Sequence, residues 1–522
     1  MNEQATSLKR PSGGEAALLI LAVCIALALG FSQLAKPDLW HDELVHVFVA
    51  KNIAAHAWPA LPSGVFYPSS LSYNYLLGGV IALFGDNAFS VRAPSVLLSA
   101  LNIVLIFLLL RPLLGTPTAL IAAFALALSP WSLAWARQAR MYSLQTSAYL
   151  LFLYTSYRFL TSNTAKSVLL CLFVMIFAYF LGVLSSFHSI LFLGVTGGFA
   201  GLLLIGHLAG FHCIEKNRPA YFGLVAVCFV LGCITLAALW FNPNPTDQSA
   251  VFETGLGGRL PDPQRLVRWY YLRWLKDNLS LGFLLLALLG TVWMLIKERK
   301  RGLFIALSFW APVLILTFLI GYRRERFMFF AFPCYVALFS YAIVQMLGVL
   351  SHFRKSTLHL VLSVIFVLFG IRCGISAAKL VGDSLDIASG AFTTLAVKHQ
   401  QWKKPCEYVK HHRTDETILT TMALPVLYYT GHVDNWFPNR YTWWEGQESG
   451  LKGLGSLDEL QAFLREHPKG FFLADKERFE KWRHHRDLPD LEQEVAWVEQ
   501  HMARIEEAST EDVTLFAWNF ER

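Results

Sequence analysis

Charge is scarce in this sequence. Of its 522 residues only 16% are Asp, Glu, Lys or Arg, against 55% hydrophobic, whereas ordinary soluble domains carry about 25% charged residues. The apolar residues gather in runs that approach the roughly 20 needed to cross a bilayer as a helix. One water-soluble core is therefore excluded, and a polytopic membrane protein is expected. Cysteine offers no framework either. Of the eight (Cys24, Cys171, Cys213, Cys228, Cys233, Cys334, Cys373, Cys406), seven fall in or beside apolar runs and only Cys406 lies in a polar region. That distribution contains no disulfide scaffold and no Cys-x-x-Cys metal pair. A glycine-rich phosphate loop, an internal repeat and a low-complexity segment are also missing. The net charge of +7 is small. In a membrane chain it reads as topology and contact with anionic lipid, and no nucleic-acid partner is expected.

What is present is a series of apolar runs near 15–34, 92–111, 116–134, 142–160, 166–184, 186–206, 220–241, 279–296, 302–320, 327–350 and 357–378. The first follows Lys9 and Arg10, exceeds a usual signal core and precedes no convincing cleavage site, so an uncleaved membrane helix is expected. A shorter run at 71–85 holds Asn74. If it spans, every later segment flips. Basic residues arbitrate, because cytoplasmic connections are enriched in Lys and Arg. With eleven spans and a cytoplasmic N-terminus, Lys9 and Arg10, Arg111, Arg158 and Lys166, Lys216 and Arg218, "KERKR" at 297–301, and Arg354 with Lys355 all fall inside. The run 71–85 is then re-entrant or interfacial. Residues 1–384 form a membrane module with long outer loops at 35–91 and 242–278. Residues 385–522 form a soluble tail outside. The runs TILTTM (from Thr417), GFFLA (470–474) and VTLFAW (513–518) look like strands, and SLDELQAFLREH (456–467) and DKERFEKWRHH (475–485) like helices. A small α/β domain is expected.

Several polar groups on the expected outer face need a reason, since charges near a bilayer commonly mark a site. Asp42 and Glu43 stand between His41 and His46 in "HDELVHVFVAKNIAAHAW", a pattern suited to an amphipathic helix. An acid at a helix start is a cap; beside a membrane it also suits a general base toward a hydroxyl or amine. No cofactor is expected; a divalent metal at His41 and His46 is the lesser alternative, because two histidines at this spacing are weak evidence. Arg137, Arg140 and Tyr142 in "WARQARMYSLQTS" suit a phosphate, through guanidinium forks and a phenol donor. Interfacial snorkelling is the competing explanation. Arg323, Arg324 and Arg326 in "GYRRERFMFFAFP" suit an anion as well, against contact with anionic head groups. His188 in "LSSFHSI" reads first as a satisfied interfacial histidine. The segment "RLPDPQRLVRWYYLRWLKDN", with Arg265 and Arg268, reads as a basic, aromatic interfacial helix.

The Asp-Glu pair after the first span, the helix ending in "FGDNAFSVRAPS", the segment "ARMYSL" and "RRERFMFFAFP" together resemble the family 39 glycosyltransferases. These are GT-C-fold membrane enzymes that include protein O-mannosyltransferases and lipid A aminoarabinose transferases. Phe327 stands where the family pattern has tyrosine. The resemblance covers roughly residues 1–380. It implies a GT-C-like bundle, here of about 11 transmembrane helices, in the inner membrane; the C-terminal extracytoplasmic α/β domain expected from the tail's own runs lies beyond the resemblance. It implies a multi-pass enzyme that moves a sugar from a polyprenyl-phosphate donor to a lipid, glycan or protein acceptor, with inversion. By the same resemblance Asp42 is the base and Glu43 its helper. Arg140, Tyr142, Arg326, Arg324 and Arg92 hold the donor phosphate, and His188, His46 and Arg137 support the site. The alternative is a transporter or flippase of lipid-linked sugars. That class places charges at mid-membrane and commonly shows repeated, interrupted helices, which this sequence does not.

Overall fold

The computed structural model describes residues 11–211, 214, 217–240, 269–320, 323–351, 357–391, 393, 395, 397–438, 443–477, 479 and 490–520. Lys9, Arg10, Lys216, Arg265, Arg268, Arg354 and Lys355 lie outside the described residues, as does most of the run 475–485. The first seven helices are α1 (Gly13–Phe31), α2 (His41–His56), α3 (Leu71–Phe84), α4 (Ala88–Leu114), α5 (Thr116–Ala127), α6 (Pro130–Ala136) and α7 (Tyr142–Thr161).

All eleven expected spans are helical. Among the described residues, eight helices are long and apolar enough to cross a membrane: α1, α4, Ala165–Val183, Phe187–Phe211, Arg218–Ala238, Lys300–Phe318, Glu325–Leu350 and Val364–Ser389. The run 116–134 is a bent pair, with α5 and α6 meeting at 58°. The break follows from local chemistry: Pro130 begins α6, and the Ser129 hydroxyl caps it by accepting from the Ser132 N–H at 3.3 Å. The other two expected spans are α7, whose polar Ser143, Gln145, Thr146 and Ser147 are buried, and Leu281–Lys297. At 14 residues α3 is about 21 Å long, short of a bilayer core of about 30 Å. The chain is a multi-pass helical membrane protein.

Contacts divide the chain into two compact units: residues 1–32, 95–137 and 141–396, a helical unit; and residues 33–94, 138–140 and 397–522, a mixed unit. The mixed unit holds the expected small sheet. Its strands are β1 (Thr417–Thr420), β2 (Asn435–Trp436), β3 (Lys469–Asp475), β4 (Ala503–Arg504) and β5 (Val513–Asn519), in the order β2-β1-β3-β5-β4. β1 runs parallel to β2 and β3, and β5 antiparallel to β3 and β4. Helices cover both faces, so the four central residues of β3, 471–474, are all apolar: Phe471 and Leu473 pack with Trp402, Cys406 and Val409, while Phe472 and Ala474 pack with Leu460, Leu464 and Val495. Gly470 is required where it stands, because a Cβ there would collide with the Thr417 carbonyl and the Trp518 ring.

In the same unit α2 departs from the two-faced surface helix expected. Glu43, Leu44, Val45, His46, Val47, Val49, Ala50 and Ile53 are all buried. α3 covers one side, at a close approach permitted by Gly78: a Cβ there would lie 2.8 Å from Ile53 Cγ2. The opposite side of α3 leaves Tyr75, Leu76, Leu83 and Phe84 exposed.

Candidate active site at the start of α2

Trp40 is extended and serves as the N-cap of α2; its carbonyl accepts from the Glu43 and Leu44 N–H groups at 3.0 and 3.1 Å. The Glu43 carboxylate reaches back to the Trp40 N–H at 3.3 Å, the carboxylate half of a capping box. Asp42 and Glu43 both lie in the first turn, where the positive end of the helix dipole favours anions. Adjacent helical residues diverge by about 100° around the axis, and the two acids meet entirely different surroundings.

Glu43 is fully buried. Its Oε1 accepts from Arg92 Nε at 2.8 Å and from the Ala139 N–H at 2.8 Å, and its Oε2 from Arg92 Nη2 at 2.7 Å. With the Trp40 contact, the roughly four lone-pair sites of a carboxylate are occupied. Burial pushes the Glu43 carboxyl up, but the Arg92 charge and hydrogen bonds outweigh it, with the Ala139 N–H assisting, and hold it below the usual range. Arg92, expected at the donor phosphate, is 1% exposed. Its remaining hydrogen bonds go to the carbonyls of Leu34, Pro37 and Asp38 at 3.0, 2.8 and 2.9 Å. The pair is an anchor tying the start of α4 to the approach to α2.

Asp42 is the open member of the two acids, with its side chain 28% exposed. Arg140 grips it through Nη2 to Oδ2 at 3.3 Å and Nη1 to the Asp42 carbonyl at 3.0 Å. The same guanidinium lies 5.8 Å from the centre of the Trp40 ring. One turn along, His46 Nδ1 is 2.6 Å from Asn74 Oδ1, and the Asn74 amide donates to the Ser69 carbonyl at 2.9 Å. That fixes the amide orientation and places the His46 proton on Nδ1. Burial, with Arg140 adding to it, pushes the His46 pKa down to about 3, so the ring is neutral. His41 Nε2 pairs with Glu448 Oε2 at 2.8 Å. The two histidines thus have separate partners, and among the described residues no three His, Cys, Asp or Glu side chains gather as a metal site. Chemically, a partly exposed carboxylate fixed by a guanidinium beside a saturated buried carboxylate is suited to accept one proton.

The other expected site residues belong to the helical unit. Arg137 donates to the carbonyls of Leu29, Gly30 and Ser32, so it caps the C-terminal end of α1, where carbonyls lack helical partners. Tyr142 is buried, edge-on to Trp135 at 4.5 Å. His188 stacks on Phe327 at 4.2 Å and its Nδ1 lies 3.2 Å from the Ser186 hydroxyl. Arg324 and Arg326 flank Glu325 at the start of a 3₁₀ turn (Glu325–Ala331), and Glu325 accepts from the Tyr270 hydroxyl at 3.2 Å.

Residues 69–235, about a third of the chain, match the family model of dolichyl-phosphate-mannose-protein mannosyltransferases. The chain superposes on ArnT from Cupriavidus metallidurans bound to undecaprenyl phosphate, with TM-score 0.63, 12% identity, and 96% of this chain and 98% of that one covered. It also superposes on the archaeal oligosaccharyltransferase AglB from Archaeoglobus fulgidus, in complex with an inhibitory peptide and a dolichol-phosphate. There the TM-score is 0.60 and the identity 11%, covering 98% of this chain and 74% of that one. The chain has the GT-C glycosyltransferase fold. No protein of curated function matches it. The resemblance drawn from the sequence is borne out by the family match and the fold together.

Against this GT-C background, several residues of the site went unnoticed in the sequence. Asp38, His399 and Tyr429 all meet the approach to α2: His399 Nδ1 lies 2.8 Å from the Asp38 carbonyl, and the Tyr429 hydroxyl accepts from the Leu39 N–H at 3.1 Å. Burial raises the Asp38 carboxyl above its ordinary value, with the Lys403 N–H opposing. Only His399 lay in a largely polar run, Lys398 to Lys403, that stood apart from any predicted element; no pattern marked Asp38 or Tyr429.

Proposed function

We propose that this chain is an inverting glycosyltransferase that moves a sugar from a polyprenyl-phosphate donor to a lipid, glycan or protein acceptor at the outer face of the inner membrane. The observation that carries the reading is the division of labour between two adjacent acids: Glu43 saturated and buried, Asp42 partly open and gripped by Arg140. The family match and the two lipid-phosphate-bound neighbours of the same fold support a lipid-linked donor.

Asp42 takes the proton from an acceptor hydroxyl or amine. The freed lone pair attacks the anomeric carbon from the side opposite the phosphate. The bond from that carbon to the phosphate oxygen breaks, and polyprenyl phosphate leaves with the electron pair. Arg140 orients Asp42 and, by the family resemblance, also serves the donor phosphate. Arg324, Arg326 and Tyr142 are assigned to stabilise the charge growing on the leaving phosphate, with His188 supporting. Lys and Arg in the alternate connections favour a cytoplasmic N-terminus and an extracytoplasmic tail. Mass spectrometry of envelope glycans and lipids, with and without the protein, tests the reading. A mass difference equal to one sugar on one acceptor is expected; identical profiles together with measured lipid translocation would replace it with the flippase.

A further inference from the structure

The segment from Lys398 to Lys403 links the sheet to the start of α2: the side chains of Lys398 and Gln400 turn to the sheet and that of His399 between them to α2, and the backbone N–H groups of Gln401 and Lys403 add one contact to each. Toward the sheet, Lys398 Nζ pairs with Asp512 Oδ1 at 2.5 Å, Gln400 Nε2 donates to Asp475 Oδ2 at 3.0 Å, and the Gln401 N–H to Asp512 Oδ2 at 3.3 Å. Asp475 ends β3 and Asp512 precedes β5, and both are buried. Toward α2, His399 Nδ1 stands 2.8 Å from the Asp38 carbonyl, 3.4 Å from Arg92 Nη2 and 3.7 Å from Glu43 Oε2. The Lys403 N–H donates to Asp38 Oδ2 at 2.8 Å. The short bond to a carbonyl places the proton on Nδ1, so His399 donates to the Asp38 carbonyl and, at 3.7 Å from Glu43 Oε2, reaches the anchor through Asp38. Asp38 is the shared hub, because its carbonyl also accepts from Arg92 Nη2 at 2.9 Å.

We propose that His399 is a positioning residue, through which the C-terminal sheet sets the Arg92–Glu43 anchor and hence the aim of Asp42. The tail is then part of the catalytic apparatus rather than an appended module. The activity consequence rests on the glycosyltransferase reading; the structural consequence does not.

The test uses the full-length protein in detergent or nanodiscs, with His399→Ala, His399→Asn and the double variant Lys398→Ala/Gln400→Ala, which removes both side-chain ties to Asp512 and Asp475 and leaves the Gln401 N–H in place. Hydrogen exchange followed by mass spectrometry reads the amides of residues 38–44 and of Ala139, whose N–H donates to Glu43 Oε1. In His399→Ala and in the double variant these amides should exchange about tenfold faster, while β3 and β5 keep their protection. Sugar transfer should lose roughly tenfold in kcat with KM for the donor unchanged. His399→Asn, whose Nδ2 restores a donor near the Nδ1 position, should recover both readouts. Unchanged Ala139 exchange in His399→Ala would overturn the proposal, as would faster exchange spread through β3 and β5 or a loss that Asn fails to rescue. If the wild-type protein transfers no sugar, the function reading fails alone and the exchange measurement still decides this inference.

Discussion

Glu43→Gln should cost the fold, not merely the activity. The carboxylate and its Arg92 partner are 0% and 1% exposed, so water screens neither. Glutamine keeps the size and one oxygen, enough for Arg92 Nε and the Ala139 N–H. Its amide nitrogen would then face Arg92 Nη2 and the Trp40 N–H, donor against donor. Removing one charge of a buried pair costs about 3–5 kcal/mol, chiefly by stranding the other. At about 2–4 °C per kcal/mol for a unit of 150–250 residues, Tm should fall by roughly 6–20 °C. Tryptophan fluorescence during thermal unfolding of the purified protein reads this, since Trp40 adjoins the pair and Trp402 lies in the sheet core. Glu43→Leu combined with Arg92→Leu removes both charges and should melt closer to wild type than either single change. A Glu43→Gln protein that melts within about 2 °C of wild type would refute the anchor.

Stability should also fall in acid through His46. Its folded pKa of about 3 lies below an unfolded value of about 6.5. Between those values only the unfolded chain binds the proton, so the contribution is complete above about pH 6.5 and drains by about 1.4 kcal/mol per unit as pH falls toward 3. His46→Gln should flatten the plot of Tm against pH between about 6.5 and 4.5; an unchanged slope would contradict it. Glu43, held low, adds its loss only at pH values below its ordinary range. Arg140→Lys should lose transfer nearly as fully as Arg140→Ala, because one ammonium cannot meet both Asp42 Oδ2 and the Asp42 carbonyl. Wild-type turnover in the lysine variant would dismiss the two-point grip. Gly78→Leu should destabilise by about 1–3 kcal/mol by forcing α3 from α2, since even a Cβ meets Ile53 Cγ2 at 2.8 Å and the Ala50 carbonyl at 3.2 Å. An unaltered Tm would show that this approach tolerates side chains.

The helices were legible because long apolar runs and scarce charge leave few alternatives, and β1, β3 and β5 because each is a compact apolar run between turns. β2 and β4 escaped notice because two residues make no pattern; they are defined by their neighbours in the sheet. The bend between α5 and α6 was signalled by Pro130 yet hidden inside one apolar run. Asp42 and Glu43 were legible as a pair, and the resemblance offered base and helper, but the buried, saturated state of Glu43 was not legible. What separates them is Arg92, Ala139, Arg140 and His399, groups far away in sequence. Arg137 and Arg140 looked like twins three residues apart, yet one caps α1 and the other grips Asp42. Spacing alone cannot assign such roles, because an arginine's partner is decided by what the fold brings to it.

The central claim is that Asp42 is the base of a sugar transfer. Asp42→Asn keeps the size of the side chain and one oxygen toward Arg140 while removing the proton acceptor. The measurement is the mass profile of envelope glycans and lipids from cells carrying wild-type protein, no protein, or Asp42→Asn at equal expression and equal Tm. The account predicts that the Asp42→Asn profile matches that of cells without the protein, lacking the sugar increment. A wild-type profile from Asp42→Asn would contradict it.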